Sequence, residues 1–114
     1  MSNNTFCFYG NVLNKGIITN LPSDIAVEVP IMVDGSGMRP CVVGDLPPQC
    51  ASLNAHRSAG DLLAATGGLK GDKTAVLQSI ALDPMTASAL TLDQIRALVD
   101  ELFEVDKEFL PQFK

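Results

Sequence analysis

The first half of the chain alternates apolar and other residues with a period of two, in short runs bounded by glycine and proline. This alternation is typical of β-strands that bury one face. The turn Asp34-Gly-Ser-Gly37 predicts a tight hairpin, because glycine adopts the positive φ that such turns need. A further short strand is predicted from Pro40 to Gly44. The alternating apolar positions are Phe6, Phe8, Val12, Val27, Val29 and Ile31.

The second half carries helix signals instead of alternation. Asp45-Leu-Pro-Pro48 reads as a helix start, because proline is tolerated in the first turn, and a helix is predicted from Pro48 to about Leu63. Gly67-Gly68 and Gly71 are expected to break it. Asp72 is then predicted to cap a second helix.

Two more helices follow towards the C-terminus. Asp83-Pro84 combines an N-cap with a first-turn proline and opens a short third segment. Thr91 and Gln94 form a capping box that begins the last helix. The pattern as a whole predicts an α+β fold in one domain, residues 1–114, with short antiparallel strands and hairpins first and three to four helices after them. The apolar stripe of the last helix comprises Leu92, Ile95, Leu98, Val99, Leu102 and Phe103.

Composition limits the classes of partner. The net charge of −5 and the pI near 4.5 argue against nucleic acid, because phosphate binding needs clustered Lys and Arg and the eight present are scattered. There is no basic amphipathic segment for a membrane surface and no spanning run. The first residues, Met1 to Thr5, lack a signal-peptide pattern, so we expect a cytoplasmic location. The apolar tail Phe109 to Phe113 is expected to pack against another surface.

Cysteine and histidine offer little chemistry here. Cys7, Cys41 and Cys50 are widely spaced and form no C-x-x-C, so neither a redox pair nor a zinc site is indicated, and three buried thiols are expected. His56 is the only histidine, and a helix-surface position is favoured over a metal-ligand role.

A series of sequence blocks runs in order from about Phe6 to the chain end. Together the blocks resemble the C-terminal portion of family-4 glycoside hydrolases, and most closely their α-galactosidase and α-glucosidase branch. The match covers almost the full chain. The blocks are Asn14-x-Gly-x-Ile-x-Asn-Leu-Pro22 with Asp24, Val27-Glu-Val-Pro30, Gly37 with Pro40, Val43-Gly-Asp-Leu-Pro47 with Cys50-Ala51, Gly71-Asp72 with Ala75-Val76, Leu82-Asp-Pro84, and Leu92-x-x-Ile95 with Leu98-Val-Asp-Glu101 and Leu110-Pro111.

The resemblance implies an unusual parent enzyme. Family-4 enzymes are NAD-dependent exceptions to two-carboxylate glycoside hydrolysis. They resemble lactate and malate dehydrogenases, with a dinucleotide-binding domain followed by an α+β domain. In the implied reaction, NAD first oxidises the sugar at C3. A divalent metal, usually manganese, then eases loss of the C2 proton, and the leaving group is eliminated. Finally water adds and the hydride returns to C3.

This chain lacks the parts that the resemblance assigns to that chemistry. It has no G-x-G-x-x-G, and Gly35-Ser-Gly37 sits in a hairpin context without a following helix. The family's metal-binding Cys and His and its Tyr base lie upstream, and Tyr9 falls in no matching motif. We therefore assign no catalytic, cofactor-binding or metal-binding residue, and we expect the dinucleotide-binding domain to be absent.

Four residues remain as candidate neighbours of a substrate cleft: Asn14, Gly16, Asn20 and Glu28. For the first three a structural role is favoured, because glycine permits positive φ and asparagine side chains bond nearby backbone groups. Glu28 stands out because it lies within an apolar strand, where a buried charge would need a partner.

Three hypotheses follow from the sequence. In the leading hypothesis the chain is a C-terminal segment of a sugar-cleaving enzyme. This segment forms a wall of the substrate site, supplies subunit contacts and is inactive alone. It forms a homo-oligomer through the surface left bare by the missing domain. The second is a free-standing binding or assembly module that reuses this fold without catalysis. The third, a complete small enzyme, is disfavoured, because the chain lacks a nucleophile–base pair, a metal cluster and a phosphate loop.

Overall fold

The structure is a computed structural model that describes residues 5–113. The chain separates into two compact units at the bond between Ala55 and His56. The predicted α+β class is confirmed. The N-terminal residues that bear on the expected location, Met1 to Asn4, lie outside the described residues. The elements are β1 (Phe6–Leu13), β2 (Ala26–Asp34), β3 (Gly37–Pro40), α1 (Pro48–Lys70), α2 (Lys73–Leu82), α3 (Pro84–Ala89) and α4 (Leu92–Val105).

The first unit is built on a three-stranded antiparallel sheet in the order β1-β2-β3. Its alternating pattern buries one face, because successive side chains in a strand point to opposite sides. On β2 the buried side chains are Val27, Val29 and Ile31. The predicted hairpin turn is confirmed between β2 and β3, where Gly37 has a φ of 120°. None of the helices in residues 5–113 is both long and apolar enough to span a bilayer.

The hairpin turn orders its own charges. The backbone N–H of Ser36 donates to Asp34 Oδ1 over 2.8 Å, and the Ser36 hydroxyl donates to the same oxygen over 2.5 Å. Arg39 forms an ion pair with the other carboxylate oxygen. These contacts, the Ser36 hydroxyl first, lower the pKa of Asp34. The shift has a structural cause within the turn.

The predicted strand from Pro40 to Gly44 is wrong. The third strand, β3, lies earlier and ends at Pro40. Beyond it, Gly44 forms only an isolated parallel bridge to Ile18. Val43 and Gly44 both donate their N–H groups to the Ile17 carbonyl, over 2.9 and 3.1 Å. The segment therefore pairs with a loop of the first unit and does not extend the sheet.

The first helix is longer than the sequence predicted. It continues through Gly67-Gly68 to Lys70 and ends before Gly71, whose φ is 69°. Gly67 is buried, and a Cβ there would lie 2.9 Å from Val76 Cγ2 and 3.0 Å from the Asp72 carbonyl oxygen. Close packing against the start of α2 therefore requires glycine at position 67. This tertiary contact outweighs the low helix propensity of glycine.

The predicted helix caps are confirmed. Asp72 accepts hydrogen bonds from the N–H groups of Thr74 and Ala75, over 2.9 and 3.1 Å. Asp83 accepts from Thr86 N over 2.9 Å, and Pro84 follows it in the first turn of α3. Each cap satisfies backbone donors that a helix start leaves without intrahelical partners. At α4, Thr91 N donates to Gln94 Oε1 over 2.8 Å, and both bonds of the capping box are present.

The apolar stripe of α4 is only partly buried. Ile95 and Val99 are buried, whereas Leu92, Leu98 and Leu102 are exposed. The apolar tail does pack in part, as expected. The ring of Phe113 meets that of Phe103 edge to face with centroids 4.7 Å apart, but Phe109 remains exposed.

The expectation of three buried thiols is wrong. Cys7 and Cys50 are exposed and Cys41 is half-buried, and all three are free. Cys7 lies on the exposed face of β1, because it alternates with the inward Phe8. Cys50 lies in the first helical turn of α1 and is likewise exposed.

Candidate functional site

Asn14 organises the loop of residues 14–25 that joins β1 to β2, here called the Asn14 loop. Its side chain is fully buried, with 0% exposure. Its Nδ2 donates to the carbonyl oxygens of Ile18, Leu21 and Pro22 over 3.0, 3.1 and 2.8 Å. Its Oδ1 accepts the Ile18 N–H over 2.7 Å. One buried amide thus forms hydrogen bonds with backbone groups spread over nine residues of the loop. Without these partners the buried backbone groups would cost free energy.

A left-handed turn follows Asn14 directly. Lys15 has a φ of 44° and Gly16 a φ of 86°. The turn is closed by Ile17 N donating to the Asn14 carbonyl over 2.8 Å. The two ends of the loop are joined by Lys15 N donating to the Ser23 carbonyl over 3.0 Å and by Asn14 N donating to the Ile25 carbonyl over 2.9 Å. A Cβ at Gly16 would meet nothing within 4 Å. Backbone conformation therefore accounts for this glycine, and its surroundings leave open space at the surface.

Two apolar side chains attach the Asn14 loop to the sheet. Ile18 and Leu21 are buried, and they form one core cluster with Val27 and Val29 of β2. Because the loop contributes half of that cluster, its backbone is tied to the folding of the whole first unit.

Asn20 links the loop to the segment that precedes α1. Its Nδ2 donates to the Leu46 carbonyl over 2.8 Å, and its Oδ1 accepts the Leu46 N–H over 2.9 Å. Beside it, the Thr19 hydroxyl donates to the Asp45 carboxylate. The predicted start of α1 at Pro48 is confirmed. The Asp45 carboxylate, which precedes the helix, receives the bond from Thr19. The sequence carries no signal for this pairing, which joins residues 26 positions apart.

Glu28 lies away from this hydrogen-bonded network. It is on β2, opposite Asn11 of β1 in the sheet register, and its side chain is exposed. The alternation of the strand places it on the face opposite the buried Val27 and Val29. Its charge is therefore solvated, and Glu28 does not need the charged or polar partner that a buried carboxylate would require.

The structure brings Asn14, Gly16 and Asn20 into one loop and places Glu28 in the strand that follows it. The exposed polar side chains of the Asn14 loop and its neighbouring segment include an amide, a hydroxyl and a carboxylate that lie together, from Asn20, Thr19 and Asp45. These groups are hydrogen-bonding partners of the kind that sugar hydroxyls use. The arrangement is suited to binding and to shaping a wall.

Carboxylates with a lowered pKa lie elsewhere and have local structural causes. Hydrogen bonds from Thr86, first from its backbone and then from its hydroxyl, lower the pKa of Asp83 at the α3 cap. The bond from Lys107 lowers the pKa of Glu104 at the end of α4. A cap and an exposed ion pair explain both shifts without a catalytic role.

Metal-binding side chains are not grouped in the part of the chain that the structure describes. Within residues 5–113 no three His, Cys, Asp or Glu side chains are grouped to hold a metal ion. His56 is exposed on α1, in agreement with the sequence, and its Nε2 lies 2.8 Å from the Leu82 carbonyl oxygen.

A shallow depression of about 220 Å³ lies in the second unit. The Lys73 ammonium on its rim is occupied by Asp100, 2.7 Å away, and by the Phe103 ring at 5.0 Å. The charge of Lys73 is therefore already compensated within the unit. It is lined by Lys73, Thr74, Leu77, Arg96, Val99 and Asp100.

Comparison with known proteins decides the family. Residues 1–86 match the family 4 glycosyl hydrolase C-terminal domain. The chain belongs to this family. An α-galactosidase of Bacillus subtilis (strain 168) is 40% identical over 113 residues, which are 99% of this chain and 26% of that protein. A probable 6-phospho-β-glucosidase of the same organism is 34% identical over 103 residues, 90% of this chain and 23% of that protein.

Solved structures agree on the fold. A 6-phospho-α-glucosidase from gut microorganisms, solved with NAD and Mn²⁺, matches 96% of this chain and 24% of its own with a TM-score of 0.82 at 23% identity. A 6-phospho-β-glucosidase from Thermotoga maritima matches 96% of this chain and 26% of its own with a TM-score of 0.77 at 21% identity. The chain spans about a quarter of the length of the curated relatives it matches. The family resemblance read from the sequence blocks is confirmed.

Proposed function

We propose that this chain is the C-terminal substrate-site and oligomerisation segment of an NAD- and divalent-metal-dependent α-galactosidase- or α-glucosidase-like glycoside hydrolase. The Asn14 loop carries the proposal. Its buried amide holds a backbone that presents an exposed hydroxyl, amide and carboxylate together, through Thr19, Asn20 and Asp45. In the parent enzyme this loop lines the sugar site, with Gly16 leaving room for the substrate and Glu28 at the margin.

The chain by itself is proposed to be inactive. NAD and Mn²⁺ belong to the parent enzyme, whose dinucleotide-binding domain lies outside residues 1–114. Within that enzyme we treat residues 1–114 as one functional domain, and we expect a cytoplasmic location without nucleic-acid or membrane partners.

We also propose a homo-oligomer. Large apolar side chains of the first unit are exposed, Tyr9 by 71%, and Leu13, Met38 and Val42 are exposed as well. Burying apolar area is worth about 25 cal/mol per Å², so ~400 Å² of such surface represents up to ~10 kcal/mol. Contacts with a longer chain or with a second subunit would cover it.

A chimaeric enzyme tests the proposal. The C-terminal quarter of the Bacillus subtilis α-galactosidase relative would be replaced by residues 1–114 and assayed on an aryl α-galactoside with NAD and Mn²⁺. We expect the chimaera to hydrolyse the glycoside and the isolated chain to do nothing. In the chimaera, Thr19→Val and Asp45→Asn should raise KM, because both groups face the sugar.

The matched control is Ser23→Ala, an exposed change at the far end of the same loop, which should leave KM unchanged. A folded chimaera that is inactive, or one whose KM is indifferent to Thr19 and Asp45, would contradict the substrate-site role. An inactive chimaera together with weak sugar binding by the isolated chain would favour the free-standing module instead.

A further inference from the structure

Asp45 is held on both sides by bonds to the loop that joins β1 to β2. The Gly44 carbonyl, in the peptide group before Asp45, accepts the Thr19 N–H over 3.1 Å. The Leu46 N–H, in the peptide group after it, donates to Asn20 Oδ1 over 2.9 Å, and Asn20 Nδ2 donates to the Leu46 carbonyl over 2.8 Å. Because peptide groups are planar, fixing both of them sets the φ and ψ of Asp45 and hence the direction of its side chain.

The two anchors are made differently. The bond from Thr19 uses backbone atoms, so it does not depend on the side chain at position 19. Both bonds to Leu46 come from one exposed side chain, that of Asn20. The Leu46 side chain also packs against the core cluster of the first unit, which fixes where Leu46 lies. Asn20 therefore sets the orientation of the Asp45–Leu46 peptide and adds little stability, because water can replace its exposed bonds.

The carboxylate held in this way forms an acceptor pair with Thr19. A threonine hydroxyl has one hydrogen, and Thr19 donates it to Asp45 Oδ1. The capacity that remains on Thr19 Oγ1 and Asp45 Oδ2 is therefore for accepting hydrogen bonds. Sugar hydroxyls can donate to both oxygens, so the pair is suited to two neighbouring hydroxyl groups of one sugar ring.

We propose that Asn20 is a positioning residue that aims the Thr19–Asp45 acceptor pair at two donor hydroxyls of the sugar. The inference rests on the proposed substrate-site role of the Asn14 loop and adds to it the polarity of the contact and the residue that orients it. Leu46 engages both polar atoms of the Asn20 amide, so the effect of Asn20 on the sugar passes through Asp45.

Amide hydrogen exchange in the 114-residue chain, followed by NMR, tests the anchor. Asn20→Ala should speed exchange of the Leu46 N–H about tenfold, because that N–H loses its acceptor. The Thr19 N–H is the internal control, since it donates to the Gly44 carbonyl and should exchange at the wild-type rate. Equal acceleration at both sites would show that the substitution opens the whole loop, and it would overturn the positioning role.

Steady-state kinetics of the chimaeric enzyme test the consequence for the sugar. Asn20→Ala should raise KM for the aryl α-galactoside about three- to tenfold with kcat nearly unchanged, because binding geometry is lost and the chemical step is not. In the double variant with Asp45→Asn, the loss of Asn20 should add nothing to the effect of Asp45→Asn alone, because the two residues act through one carboxylate.

Two further variants complete the kinetic test. Asn20→Gln retains an amide donor and acceptor, so it should restore part of the KM. The matched control is Asn54→Ala, which removes another exposed amide, one that donates to the Cys50 carbonyl over 2.8 Å on α1. It should leave KM unchanged, because Asn54 makes no recorded bond to the Asn14 loop or to residues 43–47.

Failure of this inference and failure of the proposed function look different. An inactive chimaera, or a KM that ignores Asp45→Asn, would overturn the substrate-site role and this inference with it. A KM that responds to Asp45→Asn and ignores Asn20→Ala would overturn the positioning role alone. Effects of the two changes that multiply in the double variant would do the same, because Asn20 would then act independently of Asp45.

Discussion

Replacing Asn14 with alanine should cost more stability than any other single polar change in the first unit. The wild-type amide has two N–H hydrogens and one carbonyl oxygen, so the four recorded contacts represent at most three full hydrogen bonds. Each intramolecular hydrogen bond is worth about 1 kcal/mol net, and stranding the buried Ile18 groups adds desolvation. We expect the free energy of unfolding to fall by about 3 kcal/mol.

The measurement uses the sole tyrosine of a chain without tryptophan. Tyr9 lies on β1, so its fluorescence in a urea titration reports on the first unit. For a small unit the urea slope is about 1 kcal/mol per M, so Asn14→Ala should move the midpoint by about 3 M, or abolish the folded baseline. Asn14→Asp should be similarly harmful, since a carboxylate cannot donate to the three carbonyl oxygens.

The control is Asn20→Ala, which removes two hydrogen bonds at an exposed position. Water replaces those bonds, so the loss should stay below about 1 kcal/mol. A midpoint shift for Asn14→Ala no larger than the shift for Asn20→Ala would refute the reasoning that burial makes Asn14 the hub of the loop.

The second unit allows two further predictions. Gly67→Ala should lower the free energy of unfolding by about 1–3 kcal/mol, because the new Cβ would press on Val76 and the α2 backbone. Gly68→Ala should raise it by about 0.5–1 kcal/mol, because a Cβ at Gly68 would meet open space and alanine favours the helix. Melts followed by helical circular dichroism measure both changes. Asp83 has a pKa lowered from its ordinary 3.8, so its carboxylate stabilises the fold above that value and loses the effect as pH falls through the folded pKa. Asp83→Asn keeps an acceptor for Thr86 but loses the charge, so it should melt below wild type at neutral pH, approach wild type at acid pH and show a smaller fall in melting temperature on acidification.

Opposite signs for the two glycine variants are essential to the packing argument. Similar losses at both positions would mean that helix propensity, and not the contact with α2, governs this part of α1. For the cap, an acid profile of Asp83→Asn that superimposes on wild type would show that other carboxylates dominate the acid response.

The helix ends show what local signals can predict. Caps are set by the bonding of one side chain to backbone groups two or three residues away, so Asp72, Asp83 and the Thr91–Gln94 box could be read from the sequence. The end of α1 could not. Its glycines look like breakers in isolation, and only the contact with Val76 shows why one of them is retained inside a helix.

The candidate site divides in the same way. A turn at Gly16 and local bonding by Asn14 were readable from the motif, because glycine conformation and asparagine turn chemistry are short-range properties. The pairings of Asn20 with Leu46 and of Thr19 with Asp45 bring together residues 26 positions apart, and no local rule predicts them. The exposure of Glu28 could have been read from the alternation that predicted Val27 and Val29 as buried, because neighbouring side chains in a strand point to opposite faces.

By itself the sequence determined the α+β class, the helix starts, the hairpin turn and the membership of a glycoside hydrolase family, because each rests on local propensity or on an ordered set of motifs. Tertiary structure alone decided which apolar side chains are covered. Ile95 and Leu98 lie three residues apart on one side of α4, yet only Ile95 is buried, because burial depends on what packs against a helix as well as on the helix's own period.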